Sequence, residues 1–206
     1  MIVLVPYAAA RPKTRLADAL DPAERESFSR AMLADVVDAV VDAGVEPTVV
    51  ATESVELDAR ASVVVDDRPL SRAVNDRLAG AEEPTAVVMS DLALATPRVL
   101  SRLLDAGGDV VVAPGRGGGT NALVVRHPAF RVDYHGTSYL DHLRVARDVG
   151  ASVREFDSMR LSTDIDEPAD LVEVLLHTDG RARDWLLDAG FEVDAHDGRV
   201  GVRRER

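Results

Sequence analysis

Four side chains carry most of the chemistry that this sequence could perform: Lys13, Asp91, Asp164 and Asp166. Lys13 is the one lysine in a 206-residue chain that otherwise uses arginine, 23 times. It stands in Pro-Lys-Thr-Arg-Leu, shortly after an apolar run at 2–5 that Pro6 is expected to end. A compact ammonium and a planar guanidinium are not interchangeable against a phosphate. The loop after the first strand of an α/β domain is also where phosphates are commonly held. Asp91 follows the apolar run 86–89, a position from which a carboxylate points into the crevice at the carboxyl ends of a parallel sheet. Asp164 and Asp166 form Asp-Ile-Asp, and in an extended segment alternation turns both to one side. The three carboxylates make an oxygen-rich site suited to Mg2+, which takes carboxylates together with substrate phosphates and waters. Each aspartate also has a plain structural use, as a turn residue or, for Asp166, as a cap for the helix that begins near Pro168.

Gly117-Gly118-Gly119-Thr120-Asn121 is the other local signal. Consecutive glycines let backbone approach a ligand, and Thr120 and Asn121 offer a hydroxyl and an amide to a phosphate or carboxylate. Neither a Gly-Lys-Ser/Thr phosphate loop nor a Gly-x-Gly-x-x-Gly dinucleotide turn is present. Arg15 and Arg25 could join Lys13 around a triphosphate, although an arginine on an acidic helix also serves as a solvated ion-pair partner. Ser138 and His142 are four residues apart on one helix face, with the Ser138 amide near the helix start, where it could meet an anion. As a nucleophilic dyad they fail, because such a pair presents no exposed nucleophile and no Gly-x-Ser-x-Gly elbow exists. A capping serine and a partly buried histidine remain the alternative.

The elements that position these residues follow from apolar patterning. Short β-branched or apolar runs at 2–5, 48–51, 62–65, 86–89, 110–113, 120–125 and 153–156 read as strands. Asp21-Pro22-Ala23-Glu24 opens a helix to about residue 43, and Thr96-Pro97 caps another. Further helices are expected at 71–78, 138–149, from Pro168 to 176, and at 183–189. The alternation predicts an α/β protein with a mainly parallel sheet. Asp197-Gly198 lies between alternating residues and predicts a hairpin over 191–202. Nothing marks a linker or repeat, so residues 1–206 read as one domain.

The net charge is −12, from 24 Asp and 12 Glu, in a chain that is still 46% hydrophobic. That combination describes a folded protein with an acidic surface, as in adaptation to high salt. It argues against a nucleic-acid partner. It does not argue against a small phosphorylated ligand, since molar salt shortens the Debye length to about 3 Å. With no cysteine, disulfides, zinc thiolates and cysteine nucleophiles are excluded. No apolar run reaches the ~18 residues of a membrane span, and no basic segment precedes the first strand, so a cytoplasmic protein with no membrane partner is expected.

Taken in order, Lys13-Thr14-Arg15-Leu16, Arg25 with Met32 and Asp35, Ser90-Asp91-Leu92, Ala113-Pro114, Gly118-Gly119-Thr120-Asn121-Ala122-Leu123, Ser138 with His142, and Asp164-Ile165-Asp166-Glu167-Pro168 with Asp170-Leu171 resemble the 2-phospho-L-lactate guanylyltransferases of coenzyme F420 biosynthesis. The resemblance runs from Met1 to about Leu187. It implies a nucleotide-diphospho-sugar transferase-like, Rossmann-like fold with helices on both faces of the sheet. It also implies the joining of GTP to 2-phospho-L-lactate with release of pyrophosphate, and a homodimer. Relatives use phosphoenolpyruvate, and phosphoglycerate is a further alternative. By the same resemblance Lys13 and Arg15 meet the GTP phosphates, Asp91 and Asp166 hold Mg2+, and Thr120 and Ser138 hold the phosphorylated acid. Ala93 replaces the family's usual proline after Asp-Leu. Tyr134-His135-Gly136-Thr137-Ser138 replaces the usual Phe-Gly-x-Gly-Ser, which displaces Gly136, the substrate-binding glycine of that segment, by one position. Two rivals stay open. One is a molybdenum-cofactor nucleotidyltransferase, whose usual Leu-x-Gly-Gly-x-Ser-x-Arg-Met-Gly loop is missing. The other is a non-catalytic nucleotide-binding module.

Overall fold

The computed structural model describes residues 1–10, 12–57, 60–196 and 198–205. One sheet contains β1 (Ile2–Tyr7), β2 (Pro47–Ala51), β3 (Ser62–Val65), β4 (Thr85–Val88), β5 (Val110–Pro114), β6 (Thr120–Val125) and β7 (Val153–Glu155), in the order β3-β2-β1-β4-β6-β5-β7. Every neighbouring pair is parallel except those of β6, which runs against both β4 and β5. The reason is local: only residues 115–119 join β5 to β6, and a parallel return needs a crossover of a dozen residues or more.

The helices are α1 (Pro22–Asp42), α2 (Leu70–Ala79), α3 (Pro97–Leu104), α4 (Ser138–Asp148), α5 (Met159–Ser162), α6 (Leu171–His177) and α7 (Arg181–Asp188). The sheet is apolar on both faces. Val3, Val5 and Val49 pack with α1 and α3, while Leu4, Val50 and Val87 pack with α2 and α4. The capping box expected at Asp21 and Glu24 is present, as is the Thr96 cap of α3. Pro6 does not end β1, which continues to Tyr7. Tyr7 O accepts from Thr52 on the β2 side, so alternation turns the missing donor of Pro6 toward β4. Pairing between β1 and β4 has already stopped at Leu4 and Val87. The two strands therefore part at their carboxyl ends.

A third apolar cluster lies beside the sheet. It joins Leu16 and Leu20, Phe28 and Met32 of α1, Ala93 and Leu94, Ile165, and Leu171, Val174 and Leu175. The expected terminal hairpin packs there through Phe191, as β8 (Phe191–His196) against β9 (Arg199–Arg204). Its strands extend two residues past the expected end, and Asp197 of the expected turn lies outside the described residues. Asp35 ties α1 to α7 by accepting from the backbone of Arg181 (2.8 Å) and Ala182 (2.9 Å). Burial raises the Asp35 pKa, and these two amides only partly offset it. A Cβ at Gly180 would fall 2.6 Å from Asp35 Oδ2, so no side chain fits there while the cap is in place.

Gly180→Ala is expected to destabilise the protein by about 1–3 kcal/mol through this overlap. Asp35→Ala should cost about 1 kcal/mol as a lost cap. The double variant should then lose less than the sum, measured by urea unfolding of all four proteins. Strict additivity would show that the two sites do not share this contact.

Candidate active site

The parting of β1 from β4 opens a crevice at the reversal point of the strand order, where open α/β sheets bind ligands. On one side is a cavity of about 230 Å3, lined by Pro6, Val50, Leu70, Met89, Ser90 and Asp91 among others. On the other is a polar cavity of about 280 Å3, lined by Arg15, Arg116, Gly117, Asp164, Asp166, Glu167 and Asp170. Asp91 borders the first and Asp166 the second.

Lys13 joins the two. Its Nζ donates to Asp91 Oδ2 at 2.7 Å and to Asp166 Oδ1 at 2.6 Å, with the side chain only 9% exposed. Burial opposes the ammonium, but the Asp91 and Asp166 carboxylates outweigh it and raise its pKa. Lys13 has φ 54°, and it is the one non-glycine residue with positive φ among the described residues. An L residue pays about 1–2 kcal/mol to stay in that region. Strain of this kind persists where the surroundings impose it. The surroundings are the third apolar cluster, into which each charged segment inserts a neighbour: Leu16 for Lys13, Ala93 and Leu94 for Asp91, and Ile165 for Asp166.

The Asp-Ile-Asp alternation holds. Ile165 is buried, its N–H donates to the Asp91 carbonyl (3.3 Å), and Asp164 and Asp166 both face the polar cavity. Asp166 is not the helix cap. Asp170 Oδ2 accepts from the backbone of Asp166 (3.1 Å) and Glu167 (2.8 Å), leaving the Asp166 carboxylate to Lys13 and to Arg15, which also reaches Glu167. Burial would raise the Asp166 pKa, but Lys13 and Arg15 hold it below the ordinary carboxylate value. Asp164 is shifted the other way, by burial first and then by the charges of Asp91 and Asp166. Asn121 partly offsets this by donating to Asp164 (3.1 Å) and also to Leu161 O (2.9 Å). Asn121 is thus a support for Asp164.

Thr120, Ser138 and His142 come together, but largely for one another. Ser138 Oγ accepts from the Thr120 N–H (2.9 Å), and His142 Nδ1 lies 2.8 Å from Thr120 Oγ1. His142 Nε2 accepts from the Asp133 N–H (2.9 Å). The backbone can only donate, so the ring is neutral, with its proton on Nδ1 directed at Thr120. All three side chains are buried. At the start of α4 the Tyr139 N–H donates to Gly118 O (3.2 Å), whereas the Ser138 amide, the one expected to be free, has no acceptor among the described residues. Gly118 needs its glycine for φ +81°, and Gly115 because a Cβ would meet the Asn121 side chain at 2.5 Å. The protein itself fills no space at Gly117, Gly119 or Gly136 closer than 3.9 Å. Arg25 stands apart from the expected phosphate cluster, with its guanidinium on Leu20 O (2.9 Å).

Sequence reasoning passed over Asp170 as a positioning group and Arg116 as a cavity residue. The spacing of Asp170 from Glu167, as in a capping box, was the available signal for the first. For the second it was the position of Arg116 beside the glycine run.

This sheet order, with a carboxylate and lysine cluster at the strand ends, is an arrangement that can hold the phosphates of a nucleotide, and the family of this chain makes it a nucleotidyltransferase. A nucleotide-diphospho-sugar transferase candidate from Desulfovibrio desulfuricans G20 superposes with a TM-score of 0.67 over 91% of this chain and 95% of its own, at 13% identity. The family model described as guanylyl transferase CofC like matches residues 1–205, and the chain belongs to that family, whose activity is guanylyl transfer. It is 62% identical over 204 residues to the 2-phospho-L-lactate guanylyltransferase of Halomicrobium mukohataei, covering 99% of this chain and all of the relative. It is 46% identical over 202 residues to that of Methanoregula boonei, covering 98% and 94%.

Burial lowers the His142 pKa from 6.5 to about 4, against the nearby Asp133 and Asp141 charges. Between those values the unfolded chain binds a proton that the folded chain refuses, so stability falls as pH drops through the window. The His142 contribution to that loss is on the order of 3 kcal/mol. Urea unfolding between pH 7 and 4 should show a shallower dependence for His142→Asn than for the parent. An unchanged dependence would mean that His142 is not held neutral.

Proposed function

We propose that this enzyme joins GTP to 2-phospho-L-lactate, giving lactyl-2-diphospho-5′-guanosine and pyrophosphate, with Mg2+ as its metal. The reading includes residues 1–206 as one catalytic domain, a homodimer, and work in a cytoplasm of high salt. The observation that carries it is the Lys13 ammonium set between Asp91 and Asp166, where an apolar cavity meets a polar one. The apolar side suits a nucleoside, and the polar side, where Arg15 and Arg116 stand among four carboxylates, suits a small acid held through those cations. The names of the relatives support GTP and phospholactate, and their haloarchaeal source agrees with the charge of −12. No helix is long and apolar enough to cross a membrane among the described residues.

The donor set fits a hard divalent cation. Asp91 Oδ1 is buried without a hydrogen-bond partner, so one carboxylate oxygen is unspent beside Asp166. Among the described residues no three acidic or histidine side chains form a complete metal cage. This matches Mg2+, which takes one or two carboxylates and completes its shell with phosphate oxygens and water. Asp91 and Asp166 would hold it, with Asp164 beside them. When bound, it would neutralise charge on the triphosphate and on the departing pyrophosphate.

The chain's own residues supply position and charge. A phosphate oxygen of the acid, already ionised at neutral pH, forms a bond to the α-phosphorus of GTP. The bond from that phosphorus to the pyrophosphate oxygen breaks, and the electron pair leaves with pyrophosphate. No general base is needed, which agrees with the absence of a working dyad. The crevice holds the two reactants in line. Lys13 and Arg15 donate to phosphate oxygens as charge shifts to the leaving group. Asn121, Thr120, Ser138 and His142 keep the floor of the polar side rigid.

The first test is pyrophosphate release in molar KCl for four nucleoside triphosphates against phospholactate, phosphoenolpyruvate and phosphoglycerate. GTP with phospholactate should be the preferred pair, and another preferred acid would replace phospholactate in this reading. Light scattering in the same buffer should give twice the chain mass. Lys13→Ala and Lys13→Arg should both lower turnover at saturating GTP by about 30- to 1000-fold, equivalent to roughly 2–4 kcal/mol. The arginine fork does not fit a niche built around one ammonium. An arginine variant at the parent rate would remove Lys13 from the chemistry. Asp91→Asn should abolish metal-dependent turnover while the protein stays folded, as read by circular dichroism.

A further inference from the structure

The polar cavity contains a cation that the roles above leave unused. Arg116 follows Gly115 in the loop between β5 and β6, and its backbone N–H donates to Ser162 O (3.0 Å), which fixes the loop against α5. The side chain is half exposed and lines the cavity with Arg15, Gly117, Asp164, Asp166 and Glu167. Its one side-chain bond is to Asp170 Oδ1, at 3.0 Å. The other Asp170 oxygen is held by the Asp166 and Glu167 amides, so Asp170 keeps its place whether or not the arginine stays. A guanidinium has five N–H donors in a planar fork, and among the described residues the remaining donors of Arg116 have no partner. Arg15, the other cation of the cavity, is already on Asp166 and Glu167.

An acid whose phosphate reaches the α-phosphorus beside Lys13 has a carboxylate left over. In this cavity that group would meet Asp164, Glu167 and Asp170, and like charges at close range are costly without a cation between them. Thr120 and Ser138 cannot provide one. Their hydroxyls are neutral, buried, and bonded to His142 and to the Thr120 amide. Nothing lies within 4 Å of a Cβ placed on Gly117, so the space beside Arg116 is open.

We propose that Arg116 is a specificity-determining residue which leaves Asp170 and takes the acceptor's carboxylate in a bidentate pair. The inference rests on the reading of the acceptor as a phosphorylated carboxylic acid. A guanidinium matches a carboxylate with two parallel hydrogen bonds, which an ammonium cannot do.

The test compares the parent, Arg116→Gln and Arg116→Lys in steady-state pyrophosphate release. Isopropyl phosphate, which is phospholactate with a methyl group in place of its carboxylate, serves as a competing ligand. Arg116→Gln should raise KM for phospholactate at least tenfold while KM for GTP stays within twofold. Arg116→Lys should recover part of the loss. Isopropyl phosphate should inhibit all three proteins with the same constant, a result that a structural defect would not give. Unchanged KM for phospholactate, a parallel rise in KM for GTP, or an equal loss of isopropyl phosphate affinity overturns the assignment. If the parent turns over none of the three acids, the acceptor reading fails and takes the role of Arg116 with it. If the parent is active and Arg116→Gln is normal, the role of Arg116 fails alone.

Discussion

A single buried ammonium between two carboxylates organises this active site. Lys13, Asp91 and Asp166 come from three distant parts of the chain, and their closeness is costly unless all three charges are present. Without Lys13, Asp91 and Asp166 would repel each other in a half-buried crevice. Without the carboxylates, the lysine would have to lose its proton or move to water. The arrangement is imposed from below. The apolar cluster around Leu16, Leu94 and Ile165 fixes the three backbones, and Lys13 accepts a left-handed conformation to reach its place. Packing thus sets the geometry and electrostatics selects the residue types.

The same economy shapes the rest of the crevice. Pro6 cannot donate toward β4, so the central strands separate where the nucleotide of the proposed reaction would enter. The short loop at 115–119 reverses β6 and brings Asn121 against Asp164, which lines the polar cavity. There Asn121 orients Asp164, while His142 and Ser138 lock Thr120. The chain belongs to a family of guanylyl transferases, and in the reaction proposed above these devices would hold two anionic reactants in line without a nucleophile or base of the protein's own.

Much of this was legible before any coordinates. The lone lysine, the aspartate after an apolar strand and the alternation of Asp-Ile-Asp each depend on local spacing, and local spacing survives folding. The capping box at Asp21 was readable for the same reason. Other features were not, because they depend on distant partners. The spacing of Asp170 from Glu167 signals a cap, but no spacing reveals that the histidine would spend its proton on Thr120. Arg25, named with the phosphate-binding residues, places one guanidinium nitrogen on Leu20 O while its Nε is buried without a partner among the described residues, a setting that spacing alone does not show. Pro6 looked like a strand end because a proline usually is one, and only the register of β4 shows why it is tolerated here.

Lys13 occupies the ground between Asp91 and Asp166, and if those carboxylates hold the metal as proposed, it must yield that ground when nucleotide phosphates arrive to complete the metal's shell. The direct test is Mn2+ binding, followed by electron paramagnetic resonance, for the parent and Lys13→Met with and without a non-hydrolysable GTP analogue. The parent should bind Mn2+ weakly alone and at least tenfold more tightly with the analogue, whereas Lys13→Met should bind the ion more tightly than the parent in the absence of nucleotide. Tight binding to the nucleotide-free parent, unchanged by Lys13→Met, would contradict the account.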